Sequence, residues 1–103
     1  MIEVTVIVDY GPANRQRVQS VVTVPEKSTV LEVLLNRLPV KTFPRYGMDD
    51  FVEAIDGVEN DFKKDCGWRF EVNGRGSNVP AERYLVKNGD FIKWSYVAGS
   101  CSS

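Results

Sequence analysis

The chain opens on strict alternation. Ile2, Val4, Val6 and Val8 are separated by Glu3, Thr5, Ile7 and Asp9, the period of two expected of a strand with one buried face. Tyr10-Gly11-Pro12-Ala13-Asn14 breaks the run with turn residues. A second alternation sets Val18, Ser20, Val22 and Val24 against Arg17, Gln19, Val21 and Thr23 and stops at Pro25, so the two runs predict an antiparallel hairpin with a loose loop. The period then lengthens. Thr29 with Glu32 forms a capping box, and Val30, Leu34 and Leu38 beside Leu31 and Leu35 make one apolar stripe, which predicts a helix over 29–38 that Pro39 ends. Such an amphipathic helix belongs across one face of a sheet.

Residues 39–50 hold Pro39, Pro44 and Gly47 without a period and read as a connecting loop exposing Arg45, Tyr46 and Met48. Phe51 to Val58 is strand-like, and Glu59 to Asp65 is polar. Trp68 to Val72 alternates into Asn73-Gly74, a pair that supplies the positive φ of a tight turn. Asn88-Gly89-Asp90 introduces a last strand, Phe91 to Val97, with Ile92, Trp94 and Tyr96 on one face. Hairpin, helix and further strands, with the first and last strands central, predict an α+β fold of β-grasp (ubiquitin-like) type: a mixed sheet of about five strands with one main helix packed on one face. Residues 1–98 make a single domain in this reading, and 99–103 a flexible C-terminal tail.

Length and composition narrow the function more by exclusion than by indication. A chain of 103 residues has material for one core, and 43% hydrophobic with 26% charged residues is ordinary globular usage. A formal charge of -1 gives no electrostatic reason to expect nucleic acid. No stretch approaches the roughly 18 apolar residues of a membrane span, and no basic segment leads into an apolar run as in a secretory signal. The sequence fits a cytoplasmic protein or an extracellular domain whose leader has been removed. Histidine is absent, which excludes imidazole ligands to zinc, haem or cobalt and the His-based nucleophile pairs.

The residues that carry a family resemblance run through nearly the whole chain: Val30-Leu31-Glu32-Val33-Leu34, then Phe51-Val52 with Ile55-Asp56-Gly57-Val58. They continue with Trp68, with Val72-Asn73-Gly74, and with Tyr84 to Asp90 running into Ile92-Lys93-Trp94-Ser95-Tyr96. In this order they resemble the transcobalamin-like C-terminal domains, a domain of unknown function with a β-grasp fold that also occurs as a module in bacterial surface proteins. The resemblance implies a domain that in vitamin carriers closes one side of a cobalamin site, the other side being a helical barrel that this chain lacks. It points to a fold more sharply than to a corrinoid ligand. The C-terminal half also resembles the small sulfur carriers of thiamin and molybdopterin synthesis, which act through a free C-terminal Gly-Gly. Here the strand runs into Ala98-Gly99-Ser100-Cys101-Ser102-Ser103, so that chemistry would require trimming to Gly99.

Cys66 and Cys101 flank strands that are neighbours in a β-grasp sheet. They form a disulfide if the protein is extracellular, or stay as two separate reduced thiols; a loop of about 35 residues would gain roughly 3 to 4 kcal/mol from closure. The acidic residues Asp49, Asp50, Glu53, Asp56, Glu59, Asp61 and Asp65 crowd one stretch without calcium-loop spacing and read as a solvated rim. Asn73-Gly74-Arg75-Gly76 leaves a strand without opening a helix, so a turn is preferred to a phosphate cradle. The expectation is a monomeric, non-catalytic binding module for a protein or small ligand, with no resident cofactor or metal. Its contact residues would be Arg45, Tyr46 and Met48 on one loop and Arg75 and Asn78 on another. The alternative is a sulfur-carrier or modifier precursor.

Overall fold

The computed structural model describes residues 1–13, 15–45, 48–61, 63 and 66–98. In chain order the elements are β1 (Ile2–Asp9), β2 (Val18–Val24), α1 (Val30–Leu35), β3 (Val40–Arg45), β4 (Met48–Ile55), β5 (Val58–Glu59), β6 (Cys66–Val72), β7 (Arg75–Gly76) and β8 (Phe91–Ala98). The chain is sheet-rich, with one short helix. β1 and β2 form the expected antiparallel hairpin, Val4 lying opposite Val22. β8 runs parallel to β1, with Val6 opposite Ile92 and Val8 opposite Trp94. On its other side β8 meets β6 antiparallel, Trp68 opposite Tyr96 and Phe70 opposite Trp94. The mixed sheet thus has the order β2-β1-β8-β6-β7, with the first and last long strands side by side at its centre.

Registers place Val4, Val6 and Val8 on the same face as Ile92, Trp94 and Tyr96, because side chains alternate across a strand and paired residues share a face. That face is buried and joins one core with Val30, Leu31, Val33 and Leu34 of α1. The capping box forms as the sequence predicts: Thr29 Oγ1 accepts from the Glu32 N–H, and the Glu32 carboxylate accepts from the Thr29 N–H. The helix, however, spans only Val30–Leu35 rather than 29–38. Asn36 caps it, the Arg37 N–H turns back to the Leu34 carbonyl, and Pro39 disfavours helical backbone at Leu38. The buried stripe of the helix is Val30, Leu31, Val33 and Leu34, with Val33 buried and Leu35 half exposed.

Within the stretch read as a loop, residues 40–45 and 48–50 are strand. β3 and β4 pair antiparallel, Val40 opposite Ile55 and Arg45 opposite Met48, and β5 adds a short third strand to make a second sheet. Pro44 hides this strand in the sequence because it cannot donate to a ladder. The structure accommodates it where the register shifts between Phe43 and Arg45. The strand read over Phe51–Val58 is split by a turn at Asp56 and Gly57, with φ of 50° and 81°. No helix among the described residues is long and apolar enough to cross a membrane.

The second sheet is fastened to the first by side chains that reach backbone. The Trp68 indole donates to the Val58 carbonyl at 2.8 Å, and the Tyr96 hydroxyl to the Glu59 carbonyl at 2.6 Å. Asn60 bridges the sheets, its amide donating to the Val52 carbonyl while its oxygen accepts from the Trp68 N–H. Residues 80–86 secure the helix entrance: the Tyr84 and Ala81 carbonyls accept from the Val30 and Leu31 N–H groups, and the Val86 N–H donates to the Ser28 carbonyl.

Candidate functional site

Where the two sheets part beside β6, a groove of about 400 Å³ opens. Phe51 and Val52 of β4 form one wall, the segment 76–81 forms the other, and Trp68, Phe70 and Trp94 contribute aromatic surface. Alternation on β6 and the register with β8 explain the aromatic grouping, because Phe70 lies opposite Trp94 on the core face. Their rings stack at 5.1 Å with a 37° tilt, and Tyr84 meets the Phe70 edge at 6.2 Å. Trp94 is only 2% exposed, and its Nε1–H is buried with no acceptor among the described residues.

The 76–81 wall is shaped by its own polar groups. Ser77 Oγ accepts from the Val79 N–H at 2.9 Å, a tight turn that leaves Val79 44% exposed. Asn78 and Arg69 complete the lining; Arg69 falls between Trp68 and Phe70, so the pleat carries its side chain to the opposite face of β6.

Of the residues named from the sequence, the groove takes Asn78. Arg75 is exposed on β7, opposite Val72 in the hairpin that Asn73 and Gly74 close at φ of 53° and 80°. Arg45 and Met48 face each other in register at the tip of the β3–β4 hairpin, and Tyr46 lies outside the described residues. Sequence reading gave no site role to Phe51, Phe70, Val79 or Trp94. The aromatics follow the core alternation and so look structural, while nothing in Val79-Pro80 reveals that it forms a wall. Cys66 lies opposite Ala98, which sets the strands adjacent as expected; Cys101 and Gly99, on which the disulfide and the sulfur-carrier readings turn, lie outside the described residues.

Among the described residues no three His, Cys, Asp or Glu groups gather in a metal-binding arrangement. Asp56 instead accepts from the Tyr10 hydroxyl at 3.0 Å, and Glu59 pairs with Lys41 at 3.6 Å. The motif residues of the last turn are structural as well. Asn73 Oδ1 accepts from the Phe91 N–H while its amide donates to Asp90, and Asn88 Oδ1 accepts from the Glu3 N–H.

Comparison with solved structures places this fold among two kinds of protein. A protein from Ruminococcus gnavus ATCC 29149, whose description proposes metal binding, superposes with a TM-score of 0.77 at 22% identity, over 96% of this chain and 99% of the other. Haptocorrin in complex with Cbi superposes with a TM-score of 0.78 at 17% identity, over 94% of this chain and 25% of that one, so the present chain spans about a quarter of haptocorrin. No curated protein matches the sequence. At these identities the likeness is one of fold, and it supports the transcobalamin-like resemblance carried by the motifs. A family model settles the membership: it matches residues 27–98, and the chain belongs to the family described as Domain of unknown function (DUF4430).

Proposed function

We propose that this domain is a binding module without chemistry of its own, and that the groove between β4, β6 and residues 76–81 is its ligand site. The observation that carries the reading is the lining: stacked aromatic rings and apolar walls with very few polar groups, in a volume within the range that small-molecule sites occupy. We read the scaffold as a β-grasp, on the parallel pairing of β1 with β8 and the helix on one face. The haptocorrin structure, described as a complex with Cbi, is consistent with a ligand-binding role for this fold.

The test is ligand-observed NMR with a library of small apolar fragments and, separately, cobinamide, using the parent chain and Val79→Arg. Val79 is exposed enough to accept arginine without disturbing the core. Fragments should bind the parent, perturb the Trp94 indole resonance and lose binding in the variant. Binding that survives Val79→Arg unchanged would move the site elsewhere. Cobinamide bound with the same sensitivity to Val79→Arg would identify a corrinoid as the ligand.

A further inference from the structure

The larger sheet ends on β2, first in the order β2-β1-β8-β6-β7, and its neighbour β1 reveals which backbone groups β2 leaves over. The Thr5 N–H donates to the Asp90 carbonyl, and the Glu3 carbonyl accepts from the Gly89 N–H, so Glu3, Thr5 and, two residues on, Ile7 turn their backbone toward β8. Their opposites on β2, which are Thr23, Val21 and Gln19, therefore turn theirs outward, where no strand pairs with them among the described residues. The other sheet edges are blunted: β7 and β5 have two residues each, and β3 carries Pro44 and register shifts. β2 runs for seven residues without proline, charge or register shift.

We propose that this edge pairs antiparallel with the same edge of a second copy of the chain, about a twofold axis at Val21, in place of the monomer expected from the sequence. The register follows from the outward groups. Centring on Val21 sets Val21 against itself and Gln19 against Thr23, which engages every outward N–H and carbonyl of β2. Moving the centre by one residue brings in either Arg17, outside the strand, or Pro25, which has no N–H. Charge complementarity selects a second copy as the occupant. Exposed Arg17 precedes β2 and exposed Glu26 follows it, and the antiparallel register sets the Arg17 of each copy beside the Glu26 of the other. Apolar surface is covered as well: Val21, 65% exposed, lies in register with Thr5 and, beyond it, Phe91, 42% exposed, and two such rows meet end to end in the pair. Arg37 contacts the strand through Ser20 Oγ, on the opposite face from Val21. The groove lies beside β6, beyond β1 and β8, so pairing leaves it open.

The test is sedimentation equilibrium of the parent chain from about 10 µM to about 1 mM, the range of a small and weak interface, with amide hydrogen exchange read at both ends. The average mass should rise toward twice that of the chain. The Gln19, Val21 and Thr23 amides should exchange rapidly when dilute and slow as the pair forms, while those of Ser20 and Val22, which face β1, stay protected throughout. Val21→Lys and Val21→Glu should each weaken association about tenfold, because like charges meet at the axis, and an equimolar mixture of the two should restore it. A dimer that Val21→Lys leaves untouched overturns the proposal. So does a parent that stays monomeric with fast outward amides, an edge then left for a strand of another protein. Protection of the three outward amides in the dilute monomer overturns it too, since the chain's own residues then cover the edge. The exchange measurement on the parent decides the matter even if neither variant folds.

Discussion

The Tyr10 hydroxyl donates to Asp56 Oδ2 at 3.0 Å, joining two turns 46 residues apart. Arg15 completes the junction, donating to the Asp56 carbonyl at 2.7 Å while its guanidinium lies 5.7 Å from the Tyr10 ring centre. One turn leaves β1 and the other joins β4 to β5, so this contact, with those of Trp68, Tyr96 and Asn60, locks the small sheet against the large one. The groove lies between the two sheets that these contacts join.

The lock has a pH signature. Burial, then the Asp56 hydrogen bond and charge, push the Tyr10 hydroxyl from 10.0 up to about 12. Burial first, then Cys66 and Asp61, also raise Tyr96. Both phenols keep their protons in the folded state above the pH at which they ionise in the unfolded chain. Their contribution is therefore complete below about pH 10 and is lost as pH climbs through the folded values. Urea midpoints should fall between pH 10 and about 12, and Tyr10→Phe should make that fall shallower while costing about 0.5–1.5 kcal/mol at neutral pH. A parent midpoint that is level across this range contradicts the burial of both phenols.

Gly11 illustrates a constraint at the same junction. Its φ is 47°, and a Cβ there would collide with the Tyr96 carbonyl of β8. Gly11→Ala adds the left-handed penalty, about 1–2 kcal/mol, to a clash with backbone that no rotamer relieves. The expected loss exceeds about 1.5 kcal/mol in chemical denaturation. A near-neutral result would mean that the first turn stands away from β8.

The helix offers a paired measurement, because two adjacent leucines have opposite environments. Leu34 is fully buried and Leu35 is 50% exposed. Leu34→Ala should cost about 2–5 kcal/mol as a core truncation, and Leu35→Ala about 0.5 kcal/mol or less as a surface change. Equal losses would restore the longer helix in which both face the sheet.

These leucines also mark where sequence reading succeeds and where it stops. Period-two alternation located β1, β2 and the heart of β6 and β8, because strands with one buried face write that face into the sequence. Asn73-Gly74 located the β6–β7 turn, since few other pairs tolerate consecutive positive φ. Leu35 misled because six helical residues are less than two turns, too few for periodicity to separate a stripe from its flank. Pro44 misled because a proline at a bulge looks like a proline in a loop. The groove was illegible for a different reason. Its aromatics occupy core positions of the pleat, and only the separation of the two sheets, a tertiary fact, turns Phe70 and Trp94 into lining.

Asn73 separates conformational from hydrogen-bonding demands within one residue. Its φ of 53° places it in the left-handed region, and its side chain spans two partners, accepting from the Phe91 N–H at 2.9 Å and donating to Asp90 Oδ1 at 3.0 Å. Asp90 in turn accepts from the Lys87 N–H at 2.8 Å, so this one side chain ties the β6–β7 turn to the start of β8. Asn73→Ala forfeits both features: the left-handed residue becomes strained by about 1 kcal/mol, and the hydrogen bonds remove about 1 kcal/mol more. Asn73→Gly forfeits the side chain alone and relieves the backbone. Urea unfolding should therefore rank parent above Asn73→Gly above Asn73→Ala, with about 1 kcal/mol at each step. Should glycine prove as costly as alanine, the turn does not hold the positive φ seen here, and the amide contacts carry the whole effect.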